Sequence, residues 1–337
     1  MTRRAWLASL AAVAAGRRLR GQSRNAPIPA RKLNLVTLVV SDIARSVEFY
    51  QGLFGMPIQG RQGSTVLLRV GAGPQFLALK LTDSGARPGY SHLGLGVANF
   101  DAERTLKVLT EHGVMRSDER GPMKARIQLR GPEEGGAKEG TPELFLTDPN
   151  GITVQLQDTS YCGGAGRLGD VCRALAGPSP KGLLAVRDLS HFTIFAVDPP
   201  RSQEFYQEVF GFFIQAHQGP NAPLYGVGTG HQFLMFAGGT GRAGVAASAI
   251  NHGCFFMERF NPDVVLKTLT DYGLKPRAGT SPAGPLEHYV TLRMENRGGS
   301  PGGTPELYFT DPDGILLQLQ DVSYCGGAGR LGEICTA

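Results

Sequence analysis

Tryptophan is almost missing from this 337-residue chain, which has one, and only 19% of its residues are charged. No apolar run is long enough to span a membrane interior. The 47 glycines follow no Gly-X-Y period, which excludes a collagen-like rod. Acidic residues are absent from positions 1–32, where all eight charged side chains (Arg3, Arg4, Arg17, Arg18, Arg20, Arg24, Arg31 and Lys32) are basic. Setting these aside turns a formal charge of +5 into 26 basic against 29 acidic residues over 33–337. That body has no excess to attract a polyanion, so nucleic acid is not an expected partner. A hydrophobic content of 41% suffices for ordinary cores, and the length suits two domains.

The basic segment has a layout of its own. Thr2-Arg3-Arg4-Ala5-Trp6-Leu7, then the small apolar stretch Ala8 to Gly16, reads as a secretion signal. Paired arginines with an aromatic two positions on resemble a twin-arginine signal, which directs export of folded proteins. The expectation is an exported protein, periplasmic or extracellular. Residues 1–32 would be signal and linker, cut after Ala14 or near Gly21, with no membrane contact afterwards.

The rest of the chain is one unit written twice. Ser160 to Gly169 (Ser-Tyr-Cys-Gly-Gly-Ala-Gly-Arg-Leu-Gly) returns unchanged as Ser323 to Gly332, Gly140–Leu144 as Gly303–Leu307, and Gln155–Asp158 as Gln318–Asp321. The offset grows from 156 at Tyr50/Tyr206 to 163 at Asp148/Asp311, as insertions gathering in loops would produce. Two homologous domains are expected, 33–173 and 189–337, joined by a linker over 174–188. In each, β-rich runs (Leu33–Val40, Leu189–Val197) stop at an acid that caps a helix, and Gly55 or Gly211 ends that helix. Its buried face is expected to carry Ile43, Val47, Tyr50 and Phe54 in the first copy and Phe205 and Val209 in the second. Second helices are expected over Ala102–His112 and Asp263–Tyr272. The fold class is α+β: tandem βαβββ modules, two per domain, each domain an open eight-stranded half-barrel around a cavity.

Four of the five cysteines form matched pairs, Cys162/Cys172 and Cys325/Cys335, each with nine residues between its members around a Gly-rich loop. That is not zinc-finger spacing. In an exported protein the reading is one disulfide per copy, worth about 3 kcal/mol each; bridging between the two tails is the other connectivity. Cys254 is left over, near His252.

Val-Ser-Asp-x-x-x-Ser-x-x-Phe-Tyr in the first module and Asp-Pro-x-Gly before the last strand resemble the vicinal oxygen chelate superfamily, which includes glyoxalase I, extradiol dioxygenases and bleomycin resistance proteins. The resemblance covers nearly all of 33–321. It implies a metal in the cavity, held from the first, fifth and last strands of a domain. The matching residues are His191, His252 and Gln318 in the second copy, but Leu35, His92 and Gln155 in the first. Leu35 cannot ligate, so the second copy is the expected active half. Strand alternation agrees: His191 shares a face with Thr193, His252 with Cys254, and Gln318 with Gln320. Five of the seven histidines, including His231 and His288, lie in that copy.

Gln318 departs from the dioxygenase pattern, which has a carboxylate there; a neutral amide oxygen leaves the ion its full charge. The implied cofactor is a divalent metal ion, Fe(II), Mn(II), Zn(II) or Ni(II), or none. Tyr308, in Leu307-Tyr308-x-x-Asp311-Pro312-x-Gly314, matches the tyrosine that bonds the substrate oxygen in extradiol dioxygenases, and the first copy has Phe145 there. His288 or His231 would supply the remaining acid–base group. Two functions are weighed. One is a metal-dependent dioxygenase or lyase acting on a small substrate with vicinal oxygens; the other is a metal-free protein that binds and sequesters a small ligand. Export argues against coenzyme A thioesters, and pairing with a second chain as an oligomer is left open.

Overall fold

The computed structural model describes residues 26–172, 181–238, 245–280 and 282–335. The expected signal with its cleavage points, and much of the linker, lie outside the described residues. The first copy runs β1 (Ala30–Val40), α1 (Ile43–Phe54), β2 (Ile58–Gln62), β3 (Thr65–Arg69), β4 (Phe76–Leu81), β5 (Gly89–Val97), α2 (Ala102–Glu111), β6 (Met115–Arg116), β7 (Lys124–Arg130), β8 (Thr141–Thr147) and β9 (Thr153–Asp158). The second repeats it: β10 (Val186–Ala196), α3 (Pro199–Phe210), β11 (Phe213–His217), β12 (Pro223–Gly226), β13 (Phe233–Gly238), β14 (Ala249–Met257), α4 (Pro262–Asp271), β15 (Lys275–Pro276), β16 (Glu287–Arg293), β17 (Thr304–Thr310) and β18 (Leu316–Asp321). Residues 186–188, expected as linker, therefore belong to a strand, since Val186 already pairs with Met257.

Each copy folds into one mixed sheet, ordered β2-β3-β4-β1-β5-β9-β8-β7-β6 and, identically, β11-β12-β13-β10-β14-β18-β17-β16-β15. The two βαβββ modules meet at the antiparallel β1/β5 or β10/β14 seam. The expected eight strands are all present. A ninth, of two residues, is added at one edge, where the chain leaving α2 or α4 pairs briefly with β7 or β16.

Capping fixes the helices as expected. Asp42 and Asp198 accept from the backbone N–H of Arg45 and Arg201, and Gly55 (φ 65°) and Gly211 (φ 72°) take the left-handed turn that stops α1 and α3. The buried face of α1 is Ser46, Phe49, Tyr50, Leu53 and Phe54, while Ile43 and Val47 sit at its margin. The face is thus rotated from the one read off the apolar residues, because α1 must also meet the other copy.

That meeting is reciprocal. Asp148, in the turn before β9, accepts the N–H groups of Asn150 and Ile152 on one oxygen and the Ser202 hydroxyl of α3, 2.8 Å away, on the other. Asp311, before β18, accepts from Asp313 and Ile315 in the same way and takes the Tyr50 hydroxyl of α1 at 3.0 Å. Burial outweighs these bonds and raises both carboxyls, Asp311 to about 6. Close backbone approach is reciprocal too. Gly71 (φ 60°) lies against the Arg187 carbonyl and Gly228 (φ 68°) against the Arg31 carbonyl, and a Cβ at either would fall within 2 Å of that oxygen.

The disulfides are Cys162–Cys172 and Cys325–Cys335, one within each tail, which excludes the bridge between tails. Arg130 and Arg293, buried and paired with Glu143 and Glu306 at 2.7 and 2.8 Å, each donate to a carbonyl of the Gly-rich loop, Gly164 or Gly327. Asp311→Ala removes two turn bonds and strands the Tyr50 hydroxyl in the core. We expect it to cost about 2–3 kcal/mol in equilibrium urea unfolding, and a loss below about 0.5 kcal/mol would show that the carboxylate does not hold the copies together.

Candidate functional site

One face of each sheet packs on the helices and forms the main core, with Phe192, Ile194, Phe255 and Leu317 of the second copy among its residues. The opposite face carries the candidate residues, because side chains alternate along a strand. Cross-strand pairing lines them up. Phe233, His191, Cys254, Gln318, Tyr308 and Tyr289 are successive register partners from β13 to β16. The same row in the first copy reads Phe76, Leu35, Gly94, Gln155, Phe145 and Arg126. Leu35 there joins Leu67, Phe76, Ala78 and Tyr161 in a closed apolar cluster. Histidine in its place turns the second copy's row from packing into a set of lone pairs.

His191, His252 and Gln318 lie close together and are 3%, 6% and 1% exposed. His191 Nε2 lies 2.9 Å from Gln318 Oε1, and its Nδ1 lies 3.0 Å from the Ser190 hydroxyl. The His191 ring stacks on Phe233, with centroids 4.3 Å apart and planes 7° from parallel, and meets His252 edge-on at 5.7 Å. His252 Nδ1 is 2.8 Å from Asn251 Oδ1. That oxygen can only accept, so the proton sits on Nδ1 and Nε2 keeps its lone pair. Desolvation holds both rings neutral, with His252 lowered to about 4 and His191 lowered well below its ordinary value by burial first and then by repulsion between its protonated form and His252 and Arg293. Gln318 Nε2 is buried with no partner.

Tyr308 stands beside this set, its ring edge-on to His252 at 5.3 Å and its hydroxyl 3.4 Å from Glu306 Oε2. Burial and the nearby carboxylate raise its phenol well above the ordinary value, so it is a donor at neutral pH. Tyr289 stacks on Tyr308 at 5.0 Å, and the Arg277 guanidinium lies 3.6 Å above Tyr289. Tyr324, from the Gly-rich tail, closes the other side against His191 and Phe233. Cys254 is a free, buried thiol whose pKa burial raises.

The other two histidines are not brought to this set. His288 is on the opposite face of β16, where its Nε2 meets the Thr270 hydroxyl of α4 at 2.9 Å. The residue facing the site from that strand is its neighbour Tyr289. His231 is exposed in the turn before β13, near the Val322 carbonyl. Among the described residues no three His, Cys, Asp or Glu side chains group to hold a metal, so any such site needs the Gln318 amide. Tyr289, Tyr324, Phe233 and Asn251 were missed from sequence. Parity on β16 marks Tyr289, and the tail repeated unchanged marks Tyr324.

The family model for the Glyoxalase/Bleomycin resistance protein/Dioxygenase superfamily matches residues 32–156 and 188–319, one match per copy. The chain belongs to that superfamily. Its fold is that of homoprotocatechuate 2,3-dioxygenase from Brevibacterium fuscum in complex with 3,4-dihydroxyphenylacetate (TM-score 0.57, 16% identity, covering 88% of this chain and 83% of that one). The Mn(II)-bound glyoxalase from Novosphingobium aromaticivorans is equally similar in fold (TM-score 0.57, 13% identity, covering 87% and 82%). A search of curated proteins gives no match. Within the superfamily fold, this chain's two copies differ in which can present three donors.

The neutral histidines bear on stability. His252 is lowered from its ordinary value to about 4 and His191 and His92 are lowered too, so the unfolded chain binds more protons between pH 6.5 and 4. Their contribution is intact above pH 6.5 and is lost as pH falls. Asp311, raised to about 6, acts the opposite way over part of that range. The expected outcome is a urea midpoint lower at pH 5 than at pH 7, with a smaller drop in His252→Gln; an equal drop in the variant would show that His252 is not buried neutral.

Proposed function

We propose that the second copy holds a divalent metal ion on His191, His252 and Gln318 and acts on a small substrate with two adjacent oxygens, as a dioxygenase or a glyoxalase-like lyase or isomerase. The observation that carries this reading is the convergence of two neutral imidazoles and one carboxamide oxygen on one buried sheet face. Hydrogen bonding leaves His252 with a free lone pair for the ion. Asn251 keeps the His252 Nε2 unprotonated, whereas the His191 Nε2 donates to the Gln318 oxygen; an ion would take the place of that proton, which His191 can carry instead on Nδ1 beside the Ser190 hydroxyl. A bound divalent ion would polarise the substrate oxygens and stabilise the negative charge that forms as a proton leaves. The chain supplies the rest. Tyr308 donates a hydrogen bond to a substrate oxygen, Tyr289, stacked on Tyr308 and covered by Arg277, holds that ring in place, and Phe233 and Tyr324 keep water from the imidazoles.

A second reading, a metal-free protein that binds and sequesters a small ligand, is favoured by one observation. In the first copy His92, the counterpart of His252, places its Nε2 3.1 Å from Gln155 Oε1, although Leu35 denies that copy a third donor. The bond alone is therefore compatible with a structural role. We also place the protein outside the cytoplasm after export by the twin-arginine route, a reading supported by its two disulfides.

Elemental analysis separates the two functions. Protein isolated as a folded chain is expected to carry about one metal equivalent, and His191→Ala/His252→Ala less than about a tenth of that. Wild type that is empty and takes up no Mn(II), Fe(II), Zn(II) or Ni(II) on dialysis would exclude the first reading. Tyr308→Phe is expected to keep the metal and lower turnover of a catechol or α-hydroxycarbonyl by about 100-fold.

A further inference from the structure

The two copies differ where they meet, and the difference points at the second copy's site. Tyr90, on β5, crosses to the other sheet: its hydroxyl donates to the Leu316 carbonyl at 2.6 Å and accepts from the Gly253 N–H at 2.7 Å. Gly253 follows His252 on β14, and Leu316 lies two residues before Gln318 on β18. The hydroxyl thus ties these strands together where their parallel pairing begins, at Gly253 and Leu317. Desolvation raises the Tyr90 phenol, which keeps its proton and hence both bonds.

No matching tie runs the other way. Tyr90 pairs with Leu38 across its sheet, and the equivalent partner of Ile194 is Ile250, which has no donor. The residue that receives Tyr90 is changed in concert: Gly253 in the second copy stands where the first has Leu93. A Cβ on Gly253 would lie 2.8 Å from the Phe192 ring and 3.4 Å from the Tyr90 hydroxyl, so the small residue makes room. Tyr90 and Asn251, the partner of His252 Nδ1, also line one cleft of about 530 Å³ between the copies.

We infer that Tyr90 is a positioning residue for the second copy's site. The first copy, which cannot assemble three donors, sets the spacing of β14 and β18 and with it the placement of His252 against Gln318. The inference rests on the proposed function only in naming what is positioned.

The test uses the full-length, metal-free protein with ring-¹⁵N-labelled histidine, compared by NMR as wild type, Tyr90→Phe and Ser202→Ala. The last removes another buried bond between copies, Ser202 to Asp148. Displaced His252 ring signals in Tyr90→Phe, with unchanged signals in Ser202→Ala, support the inference. Superimposable His252 signals in Tyr90→Phe, or equal displacement in both variants, overturn it. If Tyr90→Phe does not fold, 3-fluorotyrosine at position 90 weakens the hydroxyl as an acceptor without moving it, and the same comparison decides. Mn(II) titration of the same samples keeps the two proposals apart. Affinity falling about tenfold in Tyr90→Phe alone extends the support, and unchanged affinity overturns the inference. A wild type that binds no Mn(II) counts against the metal reading and leaves the ring signals to decide on Tyr90.

Discussion

Two buried aspartates hold this molecule in one piece. Asp148 and Asp311 each fold the turn that launches the last strand of their own sheet, and each reaches with its second oxygen into the first helix of the other copy. A buried carboxylate is costly unless every lone pair is used, so each turn is fully formed only when the other copy is docked. Those last strands carry Gln155 and Gln318. The geometry of the candidate site is therefore a property of the pair of copies, although every candidate ligand comes from one sheet.

Most of the fold is legible in the sequence because the duplication supplies an internal comparison. Matching runs such as Gly140–Leu144 and Gly303–Leu307 reveal the two domains, and the helix caps follow from Asp42, Asp198 and their glycine stops. The two-residue strands β6 and β15 carry no such signal, since two residues have no period. The candidate ligands were legible for a similar reason: replacement of Leu35 by His191 is a polar gain at a position whose partner copy is apolar. His288 stands where the first copy has Ala125, but adjacent residues on a strand face opposite ways, so it points at α4 and Tyr289 faces the site. Contributions from the other copy, such as Tyr50 on Asp311, depend on docking that no local pattern encodes.

The copies also show how one row of a sheet is converted. In the first, Leu35, Phe76 and Tyr161 pack into a closed apolar cluster, which needs no polar partner to be stable. In the second, His191 has its Nδ1 taken by Ser190, its Nε2 by Gln318 and its flat face by Phe233. The one atom of this set left unmatched is Gln318 Nε2. Gln157, on the last strand of the first copy, leaves both of its amide atoms unmatched, so a cost of that kind is not confined to the converted row.

Gly71 against Arg187 and Gly228 against Arg31 are one contact made twice with the roles exchanged, the relation two identical subunits have across a two-fold axis. In a homodimer any substitution at that axis would appear on both sides. Here both halves are on one chain, so each side of the axis can be altered separately. The arrangement of a symmetric dimer is kept, while the requirement that its halves stay the same is gone.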